Sequence, residues 1–381
     1  MNWAGIYIHI PFCRSRCSYC DFATGTYEGA LAERYVRALS SELARVPLPT
    51  SAHEAEVDTI YFGGGTPSLL APEQVARILD AAHRRFRVRA DAEVTMEMNP
   101  GTVTPDALRE FRRLGVNRAS FGAQTFDDRD LKRLGRVHTA EDVRRTFADL
   151  RDAGFDNISF DLIAGLPEQT LAAWSLNLDE ALRLRPEHLS LYLLEVHEAT
   201  PLADQIRRGM WRAPDPDLAA EMYEMLVRRT RAEGFEQYEI SNFTLPGRES
   251  RHNMKYWTGA PFYGFGCSAH SFDGEALRWS NERDARRYVE LIEEGANVVV
   301  ERNELDARAA SSEALFLGLR LLERGVDLEA HRARFGADVR ADYGEDLRRF
   351  GEAGLIELDG DVLRLTPHGA LLSNEVFAAF V

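Results

Sequence analysis

Short apolar runs alternate six times with longer segments of helical periodicity, the pattern of repeated βα units that lay down a parallel sheet. The runs cover 5–10, 57–62, 93–98, 118–122, 157–163 and 188–194, and the intervening helical segments cover 31–46, 72–86, 105–114, 140–153 and 171–184. Pro72 and Pro105 suit first helical turns, and Thr104 and Thr139 suit N-caps. Six such units with polar residues at the strand ends predict an incomplete (β/α)6 barrel, open on one side, with its chemistry at the carboxyl ends of the strands.

The rhythm then changes twice. After a helical segment over 216–233, residues 234–281 are rich in glycine and aromatics and hold His252, Tyr256, Trp257, Tyr263, Cys267 and His270. From Asn303 onward, helical segments over 312–323, 328–335 and 343–353 precede alternating residues around Asp359-Gly360, a tight-hairpin signal. Helices followed by a hairpin predict a small α+β module of winged-helix type. The expected division is a barrel over 1–235, an aromatic-rich connection over 236–302 and the small module over 303–381.

With 381 residues the chain has enough length for a large core. Its formal charge of -15 repels phosphate backbones, and the last module, with 15 acidic and nine basic residues from 303, makes a poor DNA-tracking surface. Nucleic acid is therefore not an expected partner. No apolar run approaches a spanning length, and the start of the chain lacks a basic leader, so a cytoplasmic protein is expected. Four cysteines, three within eight residues, do not make a disulfide framework for a chain of this length.

Those three, Cys13, Cys17 and Cys20, form a C-x3-C-x2-C run directly after the first strand. A structural zinc site takes four protein ligands, whereas three thiolates on a four-iron cluster leave one iron open to a small molecule. Zinc completed by His9 or Asp21 is the alternative on spacing alone. Gly63-Gly64-Gly65-Thr66 after the second strand offers close backbone approach and hydrogen bonds to a ligand, or is a plain strand-to-helix turn. Glu97, Gln124 and Asp161 stand at or beyond the ends of the third, fourth and fifth strands, where barrel side chains converge.

Together with Tyr19 before the last cysteine, these pieces resemble the radical S-adenosylmethionine (SAM) superfamily. Ile6 to Cys13, Tyr61 to Ser68, Glu97 to Gly101, Phe121 to Phe126 and Asp161 to Pro167 resemble the branch that contains oxygen-independent coproporphyrinogen III oxidase and the haem chaperones. The resemblance implies one [4Fe-4S] cluster on the three cysteines and SAM contacts at Tyr7, Tyr19, Gly64, Gly65, Thr66, Glu97, Gln124, Arg136 and Asp161. Arg136 would hold a carboxylate in its planar fork. It also implies a low-potential electron donor such as flavodoxin or ferredoxin.

Two departures separate the chain from the oxidase pattern: Phe22 replaces a further cysteine, and the cluster motif begins at residue 13 without the oxidase's long amino-terminal extension. Glu195 and His270 also stand where the oxidase holds a second SAM through small or apolar residues. The block His252-Asn253-Met254-Lys255-Tyr256-Trp257 resembles instead the HNxxYW motif of the haem-chaperone family. This implies haem as a further ligand, with His252 as candidate axial ligand and Tyr256 and Trp257 shielding the macrocycle. The expected function is haem delivery to apo-haemoprotein acceptors, with peripheral contact to membrane haemoproteins among them. The alternative is oxidation of coproporphyrinogen III to protoporphyrinogen IX.

Overall fold

A computed structural model describes residues 3–45 and 56–380. The end of the first helical segment, at Val46, lies outside the described residues.

The six anticipated strands form as Ala4–Ile10, Glu56–Gly64, Arg87–Met98, Arg118–Gln124, Ile158–Ala164 and His188–Leu193, paired in parallel in chain order. Their outward side chains are apolar because helices cover them. Ile6, Ile8, Ile60, Phe62, Phe121 and Phe160 are almost wholly buried against that layer. The helices begin where their sequence signals place them: Thr104 Oγ1 accepts from Ala107 N at 3.2 Å, and Thr139 with Asp142 closes a capping box. Trp174 on Leu171–Leu184 is fully buried, and its indole N–H donates to Met222 O at 3.0 Å, tying that helix to Pro216–Ala232.

The sheet does not close on itself. It runs to twelve strands because residues 236–304 add to both edges. Phe262–Phe265 joins Ala4–Ile10 as a seventh parallel strand, and His270–Phe272, Leu277–Asn281 and Val299–Glu304 continue outward antiparallel. On the other edge Asn242–Thr244 and Glu236–Gln237 pair antiparallel beyond His188–Leu193. The aromatic-rich segment thus builds sheet rather than a loose connection. Its strands are too short to show a period of two in the sequence.

The arch is an incomplete barrel with a small module set at its open side. That module has helices Ala307–Leu319, Leu328–Phe335 and Gly344–Glu352 and a sheet of Val326–Asp327, Val362–Leu365 and Ile356–Asp359 around its own core of Leu315, Leu319, Phe350 and Leu363. Among the described residues, no helix is long and apolar enough to cross a membrane.

Candidate cofactor site at the carboxyl ends of the strands

Residues that leave the carboxyl ends of the six barrel strands line one cavity of about 640 Å³, which also reaches the C-terminal module. Cys13, Cys17 and Cys20 stand on its wall, all three as free thiols. Their loop is clamped from several sides. Ser18 N donates to Leu134 O at 2.9 Å, Tyr27 N to Cys13 O at 2.8 Å, and Leu202 N to Ser18 O at 2.8 Å. His9 pairs its Nε2 with Ala23 O at 3.0 Å and its Nδ1 with Tyr7 Oη at 3.2 Å. Both ring nitrogens are therefore engaged, so His9 braces the loop and does not complete a zinc site.

Two cysteines are joined by a chain of hydrogen bonds. Arg136 Nη1 donates to Cys17 Sγ at 3.4 Å and Arg136 Nη2 to Asn99 Oδ1 at 2.6 Å. Asn99 Nδ2 donates to Thr66 Oγ1 at 2.6 Å, and the Thr66 hydroxyl donates to Cys13 Sγ at 3.7 Å. Such outer partners fix the orientation of ligating atoms. Burial pushes the Cys13 and Cys20 thiols up, and the Thr66 hydroxyl works against this at Cys13. Asn99 was not singled out in the sequence, although it stands two residues beyond Glu97 in the quoted block.

Arg136 lines the cavity as well as touching the cysteine loop. Its Nη2 is shared between Asn99 and Gly122 O, the latter at 2.7 Å, so the guanidinium orders protein groups around the cysteines.

The glycine run supplies clearance. A Cβ on Gly65 would lie 2.7 Å from Phe12 O and 3.0 Å from Cys13 Sγ, and one on Gly64, at φ +107, would strike the His9 ring at 2.6 Å. The expected free donors are absent, however: Gly65 N bonds to Ile10 O at 2.8 Å and Gly64 N to Glu97 Oε2 at 3.0 Å. At Gly64 and Gly65 the turn therefore offers a ligand close approach rather than free N–H groups.

Glu97 also accepts from Tyr61 Oη at 2.8 Å through Oε1. Burial lifts its carboxyl to about 7, with Asp161 adding to the rise, and burial lifts Asp161 to about 6 against a hydrogen bond from Ser190. Gln124 completes this wall in the left-handed region, at φ 66, and its amide crosses the space where a Gly122 Cβ would sit, 2.3 Å away. A non-glycine residue held so at a strand end is the kind of strain that accompanies ligand sites. Tyr19 lines the same cavity. Tyr7 does not: it lies below Gly63, stacked on Tyr61 at 6.1 Å.

The HNxxYW block is the largest departure. It forms the helix Arg251–Thr258 at the amino ends of the strands, opposite the cysteines. Glu93 caps this helix, accepting from Arg251 N and His252 N at 3.1 Å each. His252 is 1% exposed beneath the barrel floor, stacked on Tyr61 at 5.1 Å. Its Nδ1 pairs with Thr59 Oγ1 at 2.8 Å and its Nε2 with Tyr256 Oη at 3.0 Å, and burial drives its pKa down to about 3. With both nitrogens bonded and the ring sealed from the cavity, the geometry does not present His252 as an axial ligand. Tyr256 serves it as a partner, and Trp257 packs under Arg320 at 4.3 Å. Cys267 is fully buried, with Tyr35 Oη 3.5 Å from its sulfur.

A second missed residue is Arg118, 1% exposed inside the barrel and lining the cavity. An arginine opening an otherwise apolar and small-residue strand was the available signal.

A free cysteine trio, a glycine turn that a Cβ would block, and buried carboxyl groups facing the same space fit a cluster together with a bound cofactor. The first half of the chain, residues 7–177, matches the radical SAM superfamily, and residues 305–372 match the HemN C-terminal domain. The chain is 37% identical to the heme chaperone HemW of Bacillus subtilis, over 98% of this chain and 98% of that protein. It is 33% identical to the heme chaperone HemW of Escherichia coli, over 99% and 97%. In structure it is similar to coproporphyrinogen III oxidase (HemN) from Escherichia coli, a radical SAM enzyme, with a TM-score of 0.86 at 23% identity, over 100% of this chain and 90% of that one. A barrel of this shape, a cysteine loop at its rim and full-length likeness to these relatives lead to one conclusion: the chain belongs to the HemW family within the radical SAM superfamily.

Proposed function

We propose that the protein is a cytoplasmic haem chaperone that binds one [4Fe-4S] cluster, SAM and haem and passes the haem to apo-haemoproteins. The observation that carries this reading is the likeness to relatives named heme chaperone along 98% of both chains. The cavity supports it. Cys13, Cys17 and Cys20 would hold the cluster, and Glu97, Gln124 and Asp161 would face SAM. When bound, the cluster supplies an electron to the cofactor at its open iron. The chain's own part is to hold the cysteine loop rigid through Arg136, Asn99 and Thr66 and to keep the space beside it narrow through Gly64 and Gly65.

Around the mouth, Phe22 and Tyr192 are 63% and 41% exposed and line the cavity beside Leu194. Exposed aromatic surface at a cavity rim suits a flat macrocycle. Phe22 is also the position where the oxidase pattern has its further cysteine. A low-potential donor such as flavodoxin or ferredoxin would reduce the cluster, and acceptors would include haemoproteins at the membrane surface.

The test is anaerobic reconstitution with iron and sulfide, then haem titration, transfer to an apo-haemoprotein and a coproporphyrinogen assay on one preparation. Stoichiometric haem uptake and transfer without protoporphyrinogen is the expected result. SAM-dependent turnover of coproporphyrinogen without haem uptake would replace this reading with the oxidase one.

A further inference from the structure

Two arginines on the wall of the cavity have guanidinium nitrogens without a hydrogen-bond partner, the buried Arg118 and the partly exposed Arg320. Arg118 is 1% exposed, yet its Nε has no hydrogen-bond partner, and among the described residues no carboxylate lies within ion-pair distance of it. It enters from the amino end of its strand, in register with Thr95 and one inward position below the Ser120 that faces Glu97, on the far side from the cysteines. Arg320, on the C-terminal module's side, has an Nε equally without a partner. Among the described residues its carboxylate neighbour is the buried Glu239, whose Oε2 takes Arg320 Nη2 at a long 3.5 Å while its Oε1 takes Ser241 N and Asn242 Nδ2, so the pairing leaves the Arg320 Nε without a partner.

Both arginines line the same cavity, with Ser190, Ser241 and Asn253 also on its wall. Asn253 has no partner for its side-chain amide among the described residues, and Trp257 from the same helix supports the Arg320 guanidinium face-on at 4.3 Å. The HNxxYW helix therefore reaches the cavity through Asn253 and through the arginine that Trp257 braces. A buried guanidinium such as that of Arg118, which has Glu97 and Asp161 only as more distant charges, is costly unless an anion completes it, and the planar fork of either arginine matches a carboxylate.

We propose that Arg118 and Arg320 form a two-point carboxylate site that anchors the propionate groups of a tetrapyrrole. This rests on the haem reading above and gives the HNxxYW block a task other than iron ligation. Asn253 adds a neutral donor on the same wall, and the macrocycle extends from there toward the aromatic rim at Phe22 and Tyr192.

The test compares haem with its dimethyl ester on the reconstituted protein, by optical titration. Haem should bind the wild-type protein at least about tenfold more tightly than the diester, the scale of one charge-assisted contact. Arg118→Gln and Arg320→Gln should each weaken haem by about tenfold and leave the diester unchanged. Equal binding of haem and diester by the wild-type protein overturns the proposal alone, and it needs no variant to fold. No haem uptake by the wild-type protein overturns the haem reading and this proposal with it. SAM binding is measured in parallel, because its methionyl carboxylate is the other source of this chemistry. Loss of SAM with haem retained in Arg118→Gln overturns the propionate assignment.

Discussion

Replacing His252 by alanine separates a floor residue from a haem ligand, and the structure supplies the magnitude. The imidazole bridges Thr59 Oγ1 at 2.8 Å and Tyr256 Oη at 3.0 Å, stacks on Tyr61 at 5.1 Å and on Tyr7 at 6.3 Å, and is 1% exposed. Its removal leaves two hydroxyls without partners, each costing about 1–3 kcal/mol while dry, and opens a void of ring size. Part of this overlaps, because a water entering the void would satisfy both hydroxyls. The expected loss is about 3–5 kcal/mol of folding stability, read by urea denaturation of the apo-protein at neutral pH. Haem taken up by the folded variant should keep the wild-type Soret position. A variant that loses under about 1 kcal/mol but shows a shifted or absent Soret band would refute the reasoning and restore axial ligation by His252.

Asn99→Ala breaks the bridge between Arg136 and Thr66 and should weaken cluster retention about 10–100-fold under chelator challenge, measured as iron and sulfide content. Gly65→Ala places a methyl 2.7 Å from Phe12 O and 3.0 Å from Cys13 Sγ, so reconstitution should give little cluster in a chain that still folds by circular dichroism. The folded state holds the Glu97 proton to about 7, whereas the unfolded chain releases it near about 4.3. The stability this contributes is complete below the lower value and is lost as pH rises to the upper one, so Glu97→Gln should flatten the fall of apo-protein stability across that window. Glu42, lifted to about 7 by burial, keeps part of the slope in the variant. Lys255→Met removes the 2.5 Å ion pair with Asp58 but leaves Asp58 its contact with Arg251 Nη2 at 3.2 Å, so it should cost about 1.5–3 kcal/mol, read by urea denaturation.

The six parallel strands and their helices were legible because each alternation of apolar run and helical period is local, and Thr104, Thr139, Pro72 and Pro105 mark the boundaries chemically. The cysteine loop, the glycine turn and the carboxyl groups were legible for the same reason, since strand ends in a barrel must converge. What escaped were the particular pairings that distant segments make once they meet. The Phe262–Phe265 strand takes its place from pairing with Ala4–Ile10, across more than half the chain. His252 read as a ligand because nothing in its neighbourhood reveals that Thr59 and Tyr256 occupy both nitrogens. Asn99 lacked a local signal of function and Arg118 carried only its odd place in an apolar strand, and only the fold shows the one bridging Arg136 and Thr66 and the other facing the cavity with no carboxylate at ion-pair distance.

The account rests most directly on what the cysteine trio holds and whether an iron stays open. Electron paramagnetic resonance of anaerobically reconstituted, reduced protein, recorded without and with SAM, decides this. The account predicts about four irons and four sulfides per chain and a signal whose g-values move when SAM is added. One zinc per chain without sulfide, or a cluster signal that SAM leaves unchanged, would contradict it.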